Sequence, residues 1–406
     1  MIKKTFITAL YLVFSLACLA GNDRDEKLVK KAAKIHRSVF TVDSHTDTPM
    51  RLMAGDFNLE QRHGPAAQSS KVDFPRMREG GLDGIFFAVF LSQGKRDQEA
   101  YAKAKAEAIS IFDTIHAVIN RNQATAGLAF NPKDGYRLKK EGKIAVFIGM
   151  ENGYPLGLDL SMVEAYFNRG ARYITLCHTR NNDLCDSSTD TLAFGGLSPF
   201  GKNVLKEMNR LGMMVDVSHI SDKSFYDVMH LSRSPVIASH SCSRALCNNP
   251  RNLTDEMLRA LAANGGVAQM CILSAYVKAD PNPARDSARA ALRKKYHDFD
   301  GLSKDEQKAA DKDWDALAER YPPNLATVCD VADHIDHMVK VAGIDHVGIG
   351  TDFDGGGGVK GCNDVSEIGN ITLELVKRGY TKAWIKKIWG GNLMRVMQQN
   401  LDHAGK

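Results

Sequence analysis

The sequence predicts an α/β protein built as a (β/α)8 (TIM) barrel. Short apolar runs rich in β-branched residues recur along the chain, and amphipathic stretches separate most of them. The runs are too short for stable helices and almost continuously apolar, as expected for strands of a parallel sheet buried on both faces. Eight such β–α units match the number in a closed barrel. The eight runs are Phe40–Asp43, Ile85–Leu91, Ile144–Ile148, Tyr173–Leu176, Met213–Val217, Val236–Ala238, Val267–Ile272 and Val347–Ile349.

The stretches between the runs carry helical periodicity, as Gln98–Asn120 and Thr254–Ala263 illustrate. One segment interrupts the alternation. From about 278 to 323 the chain is highly charged, with Ala-rich helical patches at Ala284–Tyr296 and Lys304–Tyr321. Prolines at both ends of the segment indicate turns. We predict a helical insertion after the seventh strand, on the rim of the barrel; a separate small domain is the alternative.

The composition is that of an ordinary globular protein. Of 406 residues, 53 are Lys or Arg and 48 are Asp or Glu, which gives a net charge of +5. Charged residues make up 25% of the chain and hydrophobic ones 44%, which excludes a disordered or collagen-like chain. The positive excess is too small and too scattered to indicate a nucleic-acid partner.

The N-terminus has the pattern of an export signal. Two lysines precede the apolar run Phe6–Ala17, and small and polar residues follow it. We predict a signal peptide over residues 1–20, a periplasmic location, and a single barrel domain over residues 21–406. Lipid anchoring through Cys18 and a buried N-terminal helix are the alternatives. The run is too short to span a bilayer, and no other stretch is long and apolar enough to do so.

Metal-capable side chains follow six of the eight predicted strands. The carboxyl ends of all barrel strands meet on one face, where catalysis occurs in this fold. His and carboxylate residues at these ends would therefore converge. The residues are His45 and Asp47 after the first run, Glu151 after the third, His178 after the fourth, His219 after the fifth, His240 after the sixth and Asp352 after the eighth.

Nitrogen and carboxylate ligands without thiolates suit Zn²⁺ or a similar divalent ion. The candidates are too many for one tetrahedral ion with an open position. Two ions that share a bridging carboxylate fit better, since such pairs lie about 3.5–4 Å apart and hold a hydroxide between them. The pattern therefore predicts a binuclear centre that activates water.

With these motifs in place, the sequence resembles the membrane (renal-type) dipeptidase family, peptidase family M19 of the amidohydrolase superfamily, in the form of a bacterial exported member. The resemblance covers essentially all of the predicted mature chain, including the charged insertion. The matching segments are Val42–Asp47, Gly149–Gly153, Arg172–His178, Val215–His219, Val236–His240, Pro250–Leu253, His346–Gly355 and Gly390–Asn392.

The resemblance implies a metallo-dipeptidase with two Zn²⁺ ions. His45 and Asp47 stand where the family binds the first ion. Glu151 matches the glutamate that bridges both ions together with a hydroxide. His219 and His240 match the ligands of the second ion. The family has the barrel of metal-dependent hydrolases, and its members are commonly homodimers, so we expect a homodimer here.

Three further residues match substrate-binding and catalytic positions of the family. The resemblance implies that His178 contacts the substrate carbonyl oxygen and stabilises the tetrahedral intermediate. It implies that Arg251 grips the free carboxylate of the substrate, which would restrict substrates to short peptides. Asp352 matches the aspartate that passes a proton from the bridging water to the leaving amine.

Cysteine pairing stays open. Removing the signal peptide leaves seven cysteines, an odd number, so at least one thiol is free or paired between chains. Family members are often disulfide-bonded, and Cys247 falls at a position used for this. Its partner here would be Cys329 or Cys271.

Three functions are compatible with these residues. The leading one is zinc-dependent hydrolysis of free dipeptides, including those with a C-terminal D-residue. The others are an amidohydrolase that opens cyclic amides or lactams, and a non-catalytic periplasmic protein that binds metal or peptide. A binding protein would need neither His178 nor Asp352. A second metal site at His334 and His337 is disfavoured, because both precede the last strand and so lie outside the catalytic rim. Asp354 is assigned no role.

Overall fold

The structure is a computed structural model that describes residues 25–55, 57–64, 70–296 and 302–405. The predicted signal peptide and Cys18 lie outside the described residues. Within these ranges, no helix has both the length and the apolar character that a membrane span requires.

Eight parallel strands form the barrel, in the order β1-β2-β4-β5-β6-β7-β8-β9, and β3 pairs with β4 beside this path. Backbone hydrogen bonds between the first strand and the residues just after the last strand bring the sheet round on itself, with the Asp352 N–H donating to the His45 carbonyl at 3.1 Å. The predicted barrel is therefore confirmed. The strands are β1 Val42–Thr46, β2 Gly84–Phe90, β3 Ala126–Leu128, β4 Ile144–Glu151, β5 Ala171–Thr175, β6 Met214–Asp216, β7 Ile237–Ser241, β8 Val267–Met270 and β9 Val347–Ile349.

Helices surround the strands, beginning with α1 at residues 25–38. The predicted helix at Gln98–Asn120 is α4, and that at Thr254–Ala263 is α9, which Thr254 caps by accepting from the Met257 N–H. The helices after α1 are α2 Thr48–Ala54, α3 Phe74–Gly80, α4 Gln98–Arg121, α5 Pro132–Lys140, α6 Ser161–Asn168, α7 Pro199–Leu211, α8 Asp222–Leu231, α9 Asp255–Ala263, α10 Ser274–Val277, α11 Pro283–Lys295, α12 Lys304–Arg320, α13 Val328–Ala342, α14 Gly369–Lys377, α15 Lys382–Lys386 and α16 Asn392–His403.

Successive side chains of each strand point alternately into the barrel and outward to the helices, which divides the core into an inner and an outer layer. On β2, Phe86 lies inside the barrel, where its ring stacks on Phe147 at 4.7 Å between centroids and on Tyr173 at 5.6 Å. Its neighbours Ile85 and Phe87 belong to the outer layer between strands and helices. Helix α16 contributes apolar side chains to the inner layer, so the barrel interior is a packed core.

Three strand boundaries differ from the prediction in a way that matters for the site. Strand β4 continues past Ile148 and includes Glu151. The first strand begins at Val42 rather than Phe40 and continues to Thr46, so it includes His45. The sixth predicted strand continues to Ser241 and includes His240. The extensions of the first and sixth predicted strands are polar but buried. Some of their side chains are hydrogen-bonded inside the barrel mouth, such as Ser44, which donates to the Ser239 carbonyl at 2.6 Å, whereas the His45 Nε2 and the Ser241 Oγ have no hydrogen-bond partner.

The insertion lies between β8 and β9 and contains the two helices α11 and α12, as predicted; the short helix α10 precedes it. After it, α13 carries His334 and His337. His334 accepts from the Ser243 N–H at 3.1 Å and donates to the Val277 carbonyl at 2.8 Å. His337 contacts Asp255 at 2.7 Å. Both histidines therefore join neighbouring elements and are not near the other metal-capable residues.

All seven described cysteines are free thiols, so the disulfide that the resemblance implied for Cys247 is absent from the described part of the chain. The Cys247 Sγ lies 3.6 Å from the Ala275 carbonyl oxygen. Cys329 is exposed and Cys271 is buried. The six buried cysteines thus serve as packing residues, and none of the seven cross-links the described part of the barrel.

Candidate metal centre

The predicted metal-capable residues meet at the carboxyl ends of the strands. The side chains of His45, Asp47, Glu151, His219 and His240 are all at least 94% buried. His178 is more open, with 24% of its side chain exposed. Groups of three ligand atoms within 4.8 Å of one another are His45–Glu151–His240, Glu151–His178–His219 and His45–Asp47–Asp352.

The Glu151 carboxylate lies between two sets of ligand atoms. Its Oε2 is 3.2 Å from the His45 Nε2. Its Oε1 is 3.0 Å from the His219 Nε2 and 3.5 Å from the His240 Nε2. On the first side, the Asp47 Oδ2 lies 3.8 Å from the His45 Nε2. Ligand atoms around a tetrahedral zinc are separated by about 3.3 Å, given metal–ligand distances of about 2.0–2.1 Å. The spacing therefore suits a carboxylate shared by two cations.

Unpartnered polar atoms point to the same conclusion. Within the described residues, the His45 Nε2 and the Asp47 Oδ1 are buried without a hydrogen-bond partner. The His219 Nε2 and His240 Nε2 face each other at 2.8 Å. Buried polar groups are otherwise almost always paired, and neutral imidazole and carboxylate are ligands for divalent cations. The residues present thus fit a divalent metal centre.

Electrostatics keep His219, His240 and Glu151 in their ligating forms. Burial, together with the nearby charge of Arg251, holds the pKa of His219 well below its usual value. Burial likewise lowers the pKa of His240, with His45 adding to the effect. Burial alone would raise the pKa of Glu151, but His45 and His219 hold it well below its usual range. Neutral imidazoles and an ionised carboxylate are the forms that bind metal.

A further set of buried residues orients the candidate ligands. The His45 Nδ1 donates to the Tyr173 hydroxyl at 2.8 Å, and that hydroxyl donates to the Ser44 carbonyl at 3.1 Å. The Ser239 hydroxyl lies 2.8 Å from the His240 Nδ1 and donates to Asp216 at 2.6 Å. These contacts fix which ring nitrogen faces the site.

Left-handed backbone conformations are found where the strands end. Among non-glycine residues, positive φ occurs in the described chain at Asn152 (72°), His219 (71°), Asp352 (61°) and Asp354 (68°). Such conformations are costly and concentrate at functional sites. At Asp354 the carboxylate accepts from the Thr48 hydroxyl at 2.8 Å, so this residue anchors the loop beside the site.

Three residues line the open side of the centre. The His178 Nε2 is 3.9 Å from the Glu151 Oε1, and its ring lies 4.4 Å from that of His219. Arg251 is buried, donates to the His240 carbonyl at 3.2 Å, and lies 5.2 Å from the centre of the Tyr276 ring. No described carboxylate comes within 4.0 Å of its guanidinium, in contrast to most buried arginines.

Asp352 completes the rim and lies near Asp47 and His45. Its Oδ2 is 4.0 Å from the Cys271 Sγ. Burial raises the pKa of this carboxyl well above its usual value, and Cys271 and Asp47 raise it further. The structure thus brings together all eight residues that the sequence singled out. It adds Tyr173, Asp216 and Tyr276, for which the only sequence signal was a polar residue at or near a strand end.

Comparison with known proteins identifies the family. A model of the membrane dipeptidase family (peptidase family M19) matches residues 29–405. The chain is 30% identical over 390 residues to the dipeptidase ataJ of Aspergillus terreus, covering 89% of this chain and 85% of that protein.

Solved structures agree. The crystal structure of the probable dipeptidase PvdM from Pseudomonas aeruginosa superposes with a TM-score of 0.81 at 32% identity, covering 93% of this chain and all (100%) of that one. A Rhodobacter sphaeroides metallopeptidase, crystallised with a phosphinate mimic of L-Ala-D-Ala, has the same fold, with a TM-score of 0.71 at 21% identity over 89% of this chain and 99% of that one. The chain therefore belongs to the membrane dipeptidase family, peptidase family M19, and is a peptidase of the metal-dependent kind.

Proposed function

We propose that this protein hydrolyses free dipeptides with the help of two Zn²⁺ ions, and that Glu151 bridges them. The observation that carries the proposal is the position of this carboxylate, with one oxygen toward His45 and the other toward His219 and His240. The names of the Aspergillus and Pseudomonas relatives support the dipeptide substrate.

His45, Asp47 and Glu151 would hold the first ion, and Glu151, His219 and His240 the second. The ligand-atom groups described above also combine His45 with His240 across Glu151, as expected when one carboxylate joins two compact ion sites. When bound, the ions would polarise the scissile carbonyl and lower the pKa of water toward about 7, which supplies a nucleophile at neutral pH.

Arg251 is placed to select substrates with a free carboxylate. Its guanidinium is buried, has no carboxylate partner among the described residues, and leaves its Nε without a hydrogen bond. A substrate carboxylate could supply the missing partner through two parallel N–H···O bonds. Because the arginine is close to His240, such a carboxylate would lie near the metal centre, which restricts the peptide to about two residues.

His178 and Asp352 would act on the reacting atoms. His178 is the most exposed of the clustered histidines and lies beside Glu151, so its Nε2 can donate to the carbonyl oxygen as negative charge develops there. Asp352 lies on the opposite side of the cluster, near Asp47. Its raised pKa suits a carboxyl that accepts a proton and returns it to the leaving amine.

Hydrolysis of a small panel tests the proposal. The panel consists of L-Ala-L-Ala, L-Ala-D-Ala, N-acetyl-L-Ala-L-Ala and L-Ala-L-Ala amide, each with and without chelator. We expect chelator-sensitive cleavage of the two free dipeptides, and little cleavage of the amide or of the N-acetylated control. Failure of zinc-loaded protein to cleave any dipeptide would refute the proposal and favour a cyclic-amide substrate or plain binding.

We also propose that the protein is exported through residues 1–20 and acts as a homodimer. The basic start and apolar run of the N-terminus support export, with lipidation at Cys18 as the alternative. Mass spectrometry of the purified mature chain distinguishes cleavage near residue 20 from a lipidated Cys18. Light scattering tests the dimer, and a monomeric mass at micromolar concentration would contradict it.

A further inference from the structure

An apolar cavity opens beside the metal centre, between the carboxyl end of β2 and helices α2 and α4. Its volume is about 500 Å³, within the range of ligand pockets, about 300–1,000 Å³. Three charged residues that also line it, Lys95, Lys103 and Glu107, are exposed to solvent. The apolar side chains that line it are Met50, Met53, Phe90, Leu91, Ile111 and Tyr154.

Two walls of the cavity are continuous with the site. Phe90 pairs in register with Glu151 across β2 and β4, and its ring meets that of His178 edge-on at 4.8 Å between centroids. Met50 donates its backbone N–H to the Asp47 carbonyl at 2.9 Å. The ring of Phe90 therefore lies between the cavity and His178.

The cavity also lies across the barrel mouth from Arg251. Arg251 follows β7, and in the circular strand order three strands separate β7 from β2 in either direction. A dipeptide with its carboxylate at Arg251 and its scissile carbonyl at His178 would direct its first residue toward β2. We propose that this cavity binds the side chain of the N-terminal residue of the substrate and selects large apolar side chains. This inference rests on the proposed function.

The exposure of the walls supports an apolar occupant. Met50 is 49% exposed and Met53 is 41% exposed, whereas Leu91, Ile111 and Tyr154 are buried. A large apolar side chain would remove the two methionines from water, which is favourable in proportion to the apolar area covered. Methionine is flexible and adapts to occupants of different shape, so the cavity should accept Leu, Met and Phe alike.

Two peptide series test the inference on the zinc-loaded protein. The first varies the N-terminal residue (Gly-Ala, Ala-Ala, Leu-Ala, Met-Ala and Phe-Ala), and the second varies the C-terminal residue (Ala-Gly, Ala-Leu and Ala-Phe). Burial of a full apolar side chain predicts that kcat/KM rises about 10- to 100-fold from Gly-Ala to Leu-Ala or Phe-Ala. The second series should vary much less.

The variant Met53→Asp places a charge in the cavity wall and should reduce the ratio of kcat/KM for Leu-Ala over Gly-Ala about tenfold. Met53→Leu should retain the ratio. Val29→Asp, at a similarly exposed position on α1 (48%), is the matched control and should behave as the wild type. The inference is overturned if the wild-type ratio is near one, if Met53→Asp leaves it unchanged, or if the effect falls on the C-terminal series. Absence of any cleavage would instead refute the proposed function itself.

Discussion

The hydrogen bond between Tyr173 and His45 provides a sharp test of how the barrel interior prepares the metal centre. Tyr173 is fully buried, and its hydroxyl accepts from the His45 Nδ1 at 2.8 Å while donating to the Ser44 carbonyl at 3.1 Å. Because the Nδ1 is engaged by Tyr173, the Nε2 is the ring nitrogen that faces Glu151, at 3.2 Å from its Oε2. The perturbation is Tyr173→Phe, which removes the hydroxyl and little else.

The substitution affects both folding and metal binding. The variant leaves the His45 Nδ1–H buried without an acceptor, which lowers the free energy of unfolding by about 1–3 kcal/mol. Loss of a partner that orients a metal-binding histidine typically weakens metal affinity about 10- to 100-fold. That range corresponds to about 1.4–2.7 kcal/mol. We therefore expect Tyr173→Phe to bind Zn²⁺ at least tenfold more weakly than the wild type.

Competition with a chromophoric chelator measures this affinity. Tyr166→Phe is the matched control, because Tyr166 is equally buried and its hydroxyl donates to the Pro155 carbonyl at 3.0 Å, away from the candidate ligands. Both variants should lose some free energy of unfolding, but only Tyr173→Phe should lose zinc affinity. Equal zinc affinities in the wild type and both variants would show that the Tyr173 hydroxyl does not contribute to metal binding.

Three further predictions concern catalysis and stability. Asp352→Asn should lower kcat for dipeptides about 10²- to 10⁴-fold with no loss of bound zinc, and a zinc-depleted variant would contradict a proton-transfer role. Arg251→Lys should lower kcat/KM for L-Ala-L-Ala at least tenfold while affecting its amide less, because lysine cannot form the two parallel bonds; equal losses on both substrates would count against carboxylate binding. Burial lowers the pKa of His36 to about 4, even though the Gly80 carbonyl opposes the shift. Below about pH 6.5 the unfolded chain therefore binds a proton that the folded one does not, and this residue should reduce stability by up to about 3 kcal/mol as the pH falls to about 4. Urea unfolding from pH 7 to 4.5 measures this, and His36→Asn should flatten the dependence; an identical pH dependence in the variant would exclude His36 as the cause.

The barrel could be predicted because its strands are buried on both faces, so each one appears as an apolar run. Strand β3 (Ala126–Leu128) was missed since it is three residues long, contains a glycine, and only flanks the first half of β4. Helix α2 was also missed. Its start signals are present, with Asp47 before it and Pro49 in its first turn, but the helix is only seven residues long (Thr48–Ala54) and so shows little periodicity.

The candidate ligands could be predicted because the carboxyl ends of the strands converge in a barrel, independently of the conformation of the loops. The residues that orient them could not, because their contacts join distant parts of the chain. Tyr173 is 128 positions from His45. Strand β6 ends at Asp216, so the alternation of side chains along the strand does not predict where the His219 side chain points. His219 has a left-handed backbone (φ 71°), and its ring lies against Glu151. Sequence periodicity contains no information about that turn.

The central claim is that Glu151 joins two metal ions into one catalytic centre. The most direct measurement is a titration of metal-free protein with Zn²⁺, in which hydrolysis of L-Ala-L-Ala and bound zinc are recorded together at each point. We expect activity to rise to a plateau at two zinc ions per chain, and we expect Glu151→Gln neither to bind two ions tightly nor to reach that activity. Full activity at one ion per chain, or without bound metal, would contradict the claim.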